Sequence, residues 1–209
     1  MARILITSGP TRQYLDPVRY ISNASSGQMG SCLARAALDL GHEVVIVSGP
    51  VLVEYPPAAK LIEIVSTEDM LEAAKKVFER CDGLIGAAAP CDYRPIEVAD
   101  HKIRKTGQTL NLKLVETPDV VATLGAAKLP NQWTIGFALE TEDARFRAIT
   151  KLQRKSCDLV VLNGVAAINS AENTVEIIEP SGNVVESSSG SKADVAARIL
   201  SVIQSRFIK

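Results

Sequence analysis

The stretch Arg3-Ile-Leu-Ile-Thr7, closed by Ser8-Gly9-Pro10, decides the fold. It is short, β-branched and apolar on successive residues, the pattern of a strand covered on both faces of its sheet. A long polar stretch follows from Thr11 to about Ser26. Gly27-Gln-Met-Gly30 then opens an Ala/Leu-rich helix to Leu40, and Gly41 fits its C-cap. His42 to Ser48 is again a short apolar strand. Strand, helix and strand in this order form a βαβ unit, whose strands lie parallel.

The same rhythm continues outward. Leu61 to Val65 reads as a strand, Ser66-Thr-Glu-Asp69 as the cap of a helix to about Arg80, and Leu84 to Ala89 as a strand. The expected fold is α/β, a Rossmann-like, mostly parallel sheet flanked by helices. The second half is less regular. A polar, basic loop from Pro90 to Lys105 precedes a short strand, Leu110 to Val115. Thr117-Pro118-Asp119 starts a helix to about Lys128, with proline in its first turn. Trp133 to Ala138 and Asp158 to Leu162 read as strands around a helix from Glu142 to Lys155. Thr174–Glu179 and Asn183–Glu186 form a C-terminal hairpin about Pro180-Ser-Gly182, and Ser187 to Ser191 reads as a flexible connection to a last helix, Lys192 to Phe207. Neither a repeat nor a domain boundary is visible, so 1–209 reads as a single domain with a flap at about 11–27.

Composition excludes several functions. At roughly 150 residues per domain, 209 residues make one large domain or one and a half. The 23 Lys and Arg against 24 Asp and Glu leave a net charge of -1, which gives no global field for nucleic acid or an anionic membrane. Aromatics at 4% disfavour a stacking platform for single strands. The apolar runs fall short of the ~20 residues of a membrane span, and the N-terminus enters a strand without a signal-peptide pattern, so a cytoplasmic location is expected. Four scattered cysteines and two histidines suit neither a disulfide framework nor a structural zinc site.

Ligands in open α/β sheets bind beyond the carboxyl ends of the strands. There the sequence offers Gly9, a helix start at Ser25-Ser26-Gly27, and the small-residue run Gly86-Ala-Ala-Ala-Pro90, followed at once by Asp92. Glycine and a helix N-terminus suit phosphate, the small residues leave room for a ring or sugar, and Asp92 offers an acceptor to a base or ribose. Equally, these residues serve as turns, caps or tight helix packing. His101-Lys-Ile-Arg-Lys105 is the densest positive cluster, and Lys151 and Lys155 share a helix face by their spacing. Together they suggest a triphosphate. A dinucleotide fingerprint is a poor fit, because the second strand ends in Val47-Ser48-Gly49-Pro50 with no acid for a ribose.

Ile4 to Arg12, the long motif Leu15-Asp-Pro-Val-Arg…Asn23-Ala-Ser-Ser-Gly-Gln-Met-Gly30, Ala88 to Pro95, Lys102 to Lys105, Thr117-Pro-Asp119, Gly136 to Thr141 and Asp158 to Asn163 together resemble the phosphopantothenate–cysteine ligases of coenzyme A biosynthesis, in their bacterial form. The resemblance implies ligation of 4′-phosphopantothenate to L-cysteine through an acyl-cytidylate, with CTP as substrate and Mg²⁺ as the accompanying ion. By position it implies Asn23 in converting the acyl-cytidylate and Lys102 beside the nucleotide phosphates. Gly9, Ala88, Asp92, Val115, Thr117, Pro118, Phe137, Lys151 and Lys155 would complete the nucleotide pocket, and Arg19 would join Asn23 at the phosphopantothenate. Metal ligands are left unassigned, and Cys91 is read as a tolerated small residue rather than a nucleophile. A homodimer is implied, built from the flap and an extension in the irregular second half, as is a separate phosphopantothenoylcysteine decarboxylase. A nicotinamide-dependent reductase and a non-catalytic nucleotide-binding subunit stand as the alternatives.

Overall fold

The computed structural model describes residues 1–139, 142–164 and 172–208. In chain order come β1 (Arg3–Ser8), β2 (Arg12–Tyr14), β3 (Tyr20–Ser22), α1 (Gln28–Asp39), β4 (Glu43–Ser48), β5 (Lys60–Glu63), α2 (Thr67–Phe78) and β6 (Gly83–Gly86). There follow β7 (Tyr93–Pro95), β8 (Leu114–Glu116), α3 (Val120–Ala127), β9 (Trp133–Leu139), α4 (Ala144–Arg154) and β10 (Leu159–Asn163). The hairpin β11 (Glu172–Ile178) and β12 (Val184–Ser191) leads into α5 (Lys192–Phe207).

Eight strands form one sheet in the order β12-β11-β10-β9-β6-β1-β4-β5, parallel from β10 to β5 and antiparallel across β11 and β12. Alternate side chains of each inner strand go to opposite faces. Ile4, Ile6, Val44, Ile46, Ile85 and Ile135 meet Leu33, Ala34 and Ala37 of α1 and Val195, Ala196 and Ile199 of α5. Leu5, Val47 and Leu84 meet Met70, Ala74 and Phe78 of α2 and Leu124 of α3, while Val160 and Leu162 meet Ala148 and Leu152 of α4. The molecule is thus a three-layer sandwich whose central strands are covered twice. Each fully buried Ile, Leu or Val there contributes ~1.5–3 kcal/mol of transfer free energy. Local signals agree with the packing. Ser66 and Asp69 form a reciprocal capping box at α2, and Gly41, at φ 81°, follows the end of α1.

Four local readings change. The flap is half structured: β2 and β3 pair as a hairpin, and only the segment from Asn23 onward is irregular. The strand expected over Leu110–Val115 is β8, three residues long and paired with β7 beside the main sheet. Proline does not enter the first turn of α3, because Asp119 is the N-cap and its carboxylate accepts from Ala122 N–H. The serines at 187–191 do not form a connection but complete β12, where Ser189 pairs with Thr174 across the ladder at 2.8 Å and Ser191 caps α5. Glu140 and Thr141, the end of the Gly136–Thr141 motif, lie outside the described residues.

Candidate active site

The parallel strands deliver their carboxyl ends to one edge, where two adjoining lobes of about 520 Å³ each open. Ala88, Pro90, Asp92 and Phe137 line both lobes and form their common wall. The small side chains after β6 are what leave this space. The strand ends at Gly86, and Ala87 to Ala89 run on to a single bridge between Ala89 and Pro10.

The first lobe lies at the start of α3 and holds Thr117, Pro118 and Asp119, with Arg154 and Lys155 opposite. Its cations are already matched: Asp119 lies 3.1 Å from Lys155 Nζ and 3.8 Å from Arg154 Nη2. The second lobe lies over the N-terminus of α1 and is lined by Asn23 to Gly30, with Lys151, Asn163, Asn173 and Lys192 across it. Among the described residues its ionisable lining is Lys151, Lys192 and Asp92. The spacing of Lys151 and Lys155 therefore does not put them together. α4 ends at Arg154, and Lys155, beyond its last turn, turns to Asp119 in the other lobe.

Asn23 sits beside the common wall, its Nδ2 donating to the carbonyls of Ala89 at 3.1 Å and Pro90 at 2.9 Å. To donate to a substrate oxygen, the amide has to give up one of these carbonyls. The wall itself is fixed from behind. Cys91 N–H donates to Thr11 Oγ1 at 2.8 Å, the Thr11 and Thr67 hydroxyls lie 2.8 Å apart, and Thr67 Oγ1 donates to the Cys91 carbonyl at 3.2 Å. Thr117 Oγ1 donates to the same carbonyl. This buried ring of hydroxyls ties α2 to the wall. Burial pushes the Cys91 thiol up, which suits a packed side chain and not a nucleophile.

Gly27, the N-cap of α1, has φ 77°, and a Cβ there would lie 2.9 Å from Val51 Cγ1 and 3.1 Å from the Tyr55 hydroxyl. Gly9, at φ 71°, packs against the same Val51 methyl, so it supports the lobe from beneath and does not line it. The Tyr55 hydroxyl bridges Ser8 Oγ at 2.8 Å and Ser48 Oγ at 2.7 Å, at the ends of β1 and β4. This strap over 51–55 escaped the sequence reading; its signal was the apolar pair Val51 and Val53 directly after Gly49-Pro50.

Lys102, Arg19 and Val115 line neither lobe. Lys102 is exposed on the connection between β7 and β8, and Val115 is exposed on β8. That connection is clamped to the flap: the buried Asp16 carboxylate accepts from Val18 N and Arg19 N at 2.8 Å and from Ile103 N at 3.1 Å, and Arg19 Nη2 donates to the Ile103 carbonyl. Burial raises the Asp16 carboxyl, but the three N–H donors and Arg19 outweigh it and hold the group below the ordinary 3.8. Asn163, Asn173 and Lys192 of the second lobe also escaped the sequence reading, although Asn163 ends a parallel strand and Lys192 begins a helix. Among the described residues no three His, Cys, Asp or Glu side chains converge as a metal cage. No helix among them is long and apolar enough to cross a membrane.

Comparison with known proteins agrees over nearly the whole chain. The profile of the DNA/pantothenate metabolism flavoprotein C-terminal domain matches residues 1–207. The coenzyme A biosynthesis bifunctional protein CoaBC of Haemophilus influenzae is 37% identical over 209 residues, covering 99% of this chain and 52% of that protein. Its counterpart in Vibrio vulnificus is 40% identical over 207 residues, covering 96% of this chain and 51% of that protein. The chain thus spans about half the length of these relatives. A crystal structure of the C-terminal domain of a CoaBC protein superposes with a TM-score of 0.84 at 38% identity, covering 97% of this chain and 94% of that one.

Proposed function

The chain belongs to the DNA/pantothenate metabolism flavoprotein C-terminal domain family, and from that premise we propose that it is a phosphopantothenate–cysteine ligase acting through an acyl-cytidylate, with residues 1–209 working as one unit. The observation that carries this reading is the pair of lobes sharing one wall, one holding the Asp119–Lys155 pair and the other lined by Lys151 and Lys192 over the N-terminus of α1. A nucleobase and ribose suit the first lobe, where Asp92, Thr117 and Asp119 offer acceptors. The polyanion suits the second, over the N-terminus of α1.

In the proposed first step a carboxylate oxygen of 4′-phosphopantothenate attacks the α-phosphorus of CTP. The bond to the β-phosphate breaks and pyrophosphate leaves. In the second step the cysteine amine attacks the acyl carbon, the amine proton is lost, and CMP departs with the former carboxylate oxygen. The first step brings two anions together and the second needs the amine aligned on the acyl carbon, so placement and charge neutralisation carry most of the catalysis. Lys151 neutralises charge in the second lobe, and Asn23, at the wall, holds the acyl group between the steps. Lys102 reaches the phosphates once the 96–113 connection folds toward the cleft, which requires the Asp16–Ile103 contact to give. Magnesium would accompany the nucleotide phosphates, since among the described residues no three acids converge as a cage, and it would supply charge neutralisation there.

A homodimer is proposed through the face formed by β2–β3 and β7–β8. Tyr14, Tyr20, Tyr93, Ile96 and Leu114 are all exposed there, and exposed apolar residues gathered on one face suit a docking surface. A phosphopantothenoylcysteine decarboxylase, on a separate chain or fused, would consume the product, and a cytoplasmic location follows from such a pathway.

The test is pyrophosphate release by the purified chain with Mg²⁺, phosphopantothenate and cysteine, comparing CTP with ATP. Release with CTP that depends on phosphopantothenate is expected, and silence with both nucleotides in folded protein refutes the proposal. Lys102→Ala is expected to slow nucleotidyl transfer, and Asn23→Ala to accumulate a trappable acyl-cytidylate.

A further inference from the structure

Asn23 is held at the common wall by two carbonyls, those of Ala89 at 3.1 Å and Pro90 at 2.9 Å. The Pro90 carbonyl shares one peptide plane with Cys91 N–H. Cis peptides are absent among the described residues, so these two groups point in opposite directions. Whatever accepts the Cys91 N–H from behind the wall therefore aims the Pro90 carbonyl at Asn23.

The acceptor belongs to a closed ring of hydroxyls. Cys91 N–H donates to Thr11 Oγ1 at 2.8 Å. The Thr67 hydroxyl spends its single proton on the Cys91 carbonyl at 3.2 Å, so the 2.8 Å contact between the two threonines is a bond from Thr11 to Thr67. Each hydroxyl thus donates once and accepts within the ring, and the bonds polarise one another in a single sense. Both threonines are 0% exposed, out of reach of bulk solvent. Thr117 adds a second donor to the Cys91 carbonyl but leaves the N–H to Thr11.

The two threonines come from separate elements, each fixed by its own contacts. Thr67 opens α2 directly after Ser66, whose capping box with Asp69 sets the helix start. Thr11 lies between β1 and β2, and Arg12 N beside it donates to the Val65 carbonyl at 2.8 Å. Neither threonine lines either lobe. Their influence on the cleft runs through the Cys91 backbone.

We propose that Thr11 and Thr67 are positioning residues for the second chemical step: through the Cys91 peptide they aim the Pro90 carbonyl that holds Asn23, and so set the place of its amide at the wall. The inference deepens the ligase reading and rests on it for the step affected, while the placement of Asn23 rests on the geometry alone. Nucleotidyl transfer does not use this amide, so loss of the ring falls on the conversion of the acyl-cytidylate.

Two measurements on the full chain test this. The first needs no turnover: the side-chain amide pair of Asn23 in a proton–nitrogen correlation spectrum, assigned by its loss in Asn23→Ala. Thr67→Val, which keeps the side chain's shape and removes its hydroxyl, is expected to shift that pair, and Thr67→Ser to return it to its wild-type position. An unmoved pair in Thr67→Val overturns the positioning role. The second is a single-turnover comparison of pyrophosphate release with amide formation. Thr67→Val is expected to slow amide formation about tenfold, the worth of one hydrogen bond, with acyl-cytidylate accumulating and pyrophosphate release little changed. Thr67→Ser is expected to recover most of the loss. Equal slowing of both steps, or no recovery with serine, overturns the proposal. Thr11→Val carries the same expectations should Thr67→Val not fold. A wild-type chain that releases no pyrophosphate overturns the ligase reading, while the Asn23 amide shift still decides whether the ring places that side chain.

Discussion

Gly27→Ala tests whether the strap over 51–55 holds the α1 N-terminus as tightly as the geometry requires. Two costs add. The residue sits at φ 77°, where an L side chain costs ~1–2 kcal/mol. The new methyl would also meet Val51 Cγ1 at 2.9 Å and both Val53 Cγ1 and the Tyr55 hydroxyl at 3.1 Å, tighter than van der Waals contact. Overpacking of this kind costs ~1–3 kcal/mol. A smaller unfolded chain entropy returns ~0.4–1 kcal/mol, leaving a net loss of about 3 kcal/mol. For a chain of this size that lowers Tm by roughly 6–12 °C. Gly41→Ala is the internal control, because φ is 81° there but nothing lies within 4 Å of the added Cβ. It carries only the backbone cost, about 1 kcal/mol, or roughly 2–4 °C. Thermal melts followed by circular dichroism, with both variants side by side, read the difference directly. Equal shifts would refute the reasoning, because the steric part would then be absent and the strap would not be packed on Gly27.

Three further outcomes follow from the same structure. The Asp16 carboxyl is held below 3.8, so the stability it confers is complete above that value and is lost as pH falls from there toward its folded value. Asp16→Asn, which loses the Ile103 N–H acceptor, should lower the urea midpoint at neutral pH and flatten its fall below pH 3.8; an unchanged pH profile would show that the clamp is not electrostatic. Burial pushes the Cys81 and Cys157 thiols up to about 11 and raises Cys91, so at neutral pH a thiol reagent should label Cys32 quickly and the other three only on unfolding, and rapid labelling of a second thiol in folded protein contradicts this. Lys151→Met should raise the KM for nucleotide roughly tenfold or more, because it removes a positive charge from the lining of the second lobe, whereas Lys155→Met should chiefly release Asp119 and lower stability by about 1 kcal/mol; equal effects on KM would mean that the lobes do not divide the nucleotide as argued.

The parallel half of the fold was legible because it obeys two periods at once. In Arg3–Ser8 and Glu43–Ser48 consecutive apolar residues feed two helical layers, and each helix between them carries its own start and stop in Gly27, Gly41 and the Ser66–Asp69 box. The hairpin β2–β3 was hidden because three-residue strands carry too few alternations to register; its turn is closed locally by Val18 and Arg19 N–H on the Asp16 carboxylate and braced by the tertiary contact from Ile103 N–H. Ser187–Ser191 misled for a different reason. Serine is a loop residue by composition, yet an edge strand needs only one face apolar, and the opposite face of β12 is satisfied by hydroxyl pairing such as Ser189 with Thr174.

For the site, the sequence marked the edge but not its division. Asn23, Ala88, Asp92, Thr117, Phe137, Lys151 and Lys155 all reach the cleft, as strand-end and helix-start positions must in an open parallel sheet. Local spacing carries no information about which lobe a side chain enters, and there Lys151 and Lys155 part. What separates them is the acid each meets: α3 sets Asp119 as its N-cap at the mouth of the first lobe, and that carboxylate draws Lys155 and Arg154 to itself. A helix cap thereby ties the two cations of the first lobe to its own carboxylate, whereas Lys151 and Lys192 line the other lobe, over the N-terminus of α1. The same topology supplies Lys192, since only two successive antiparallel turns, β10 to β11 to β12, return the chain to the edge from which α5 can begin beside α1. A sequence reading confined to βαβ units could not place that lysine, because its position depends on the one part of the sheet that is not parallel.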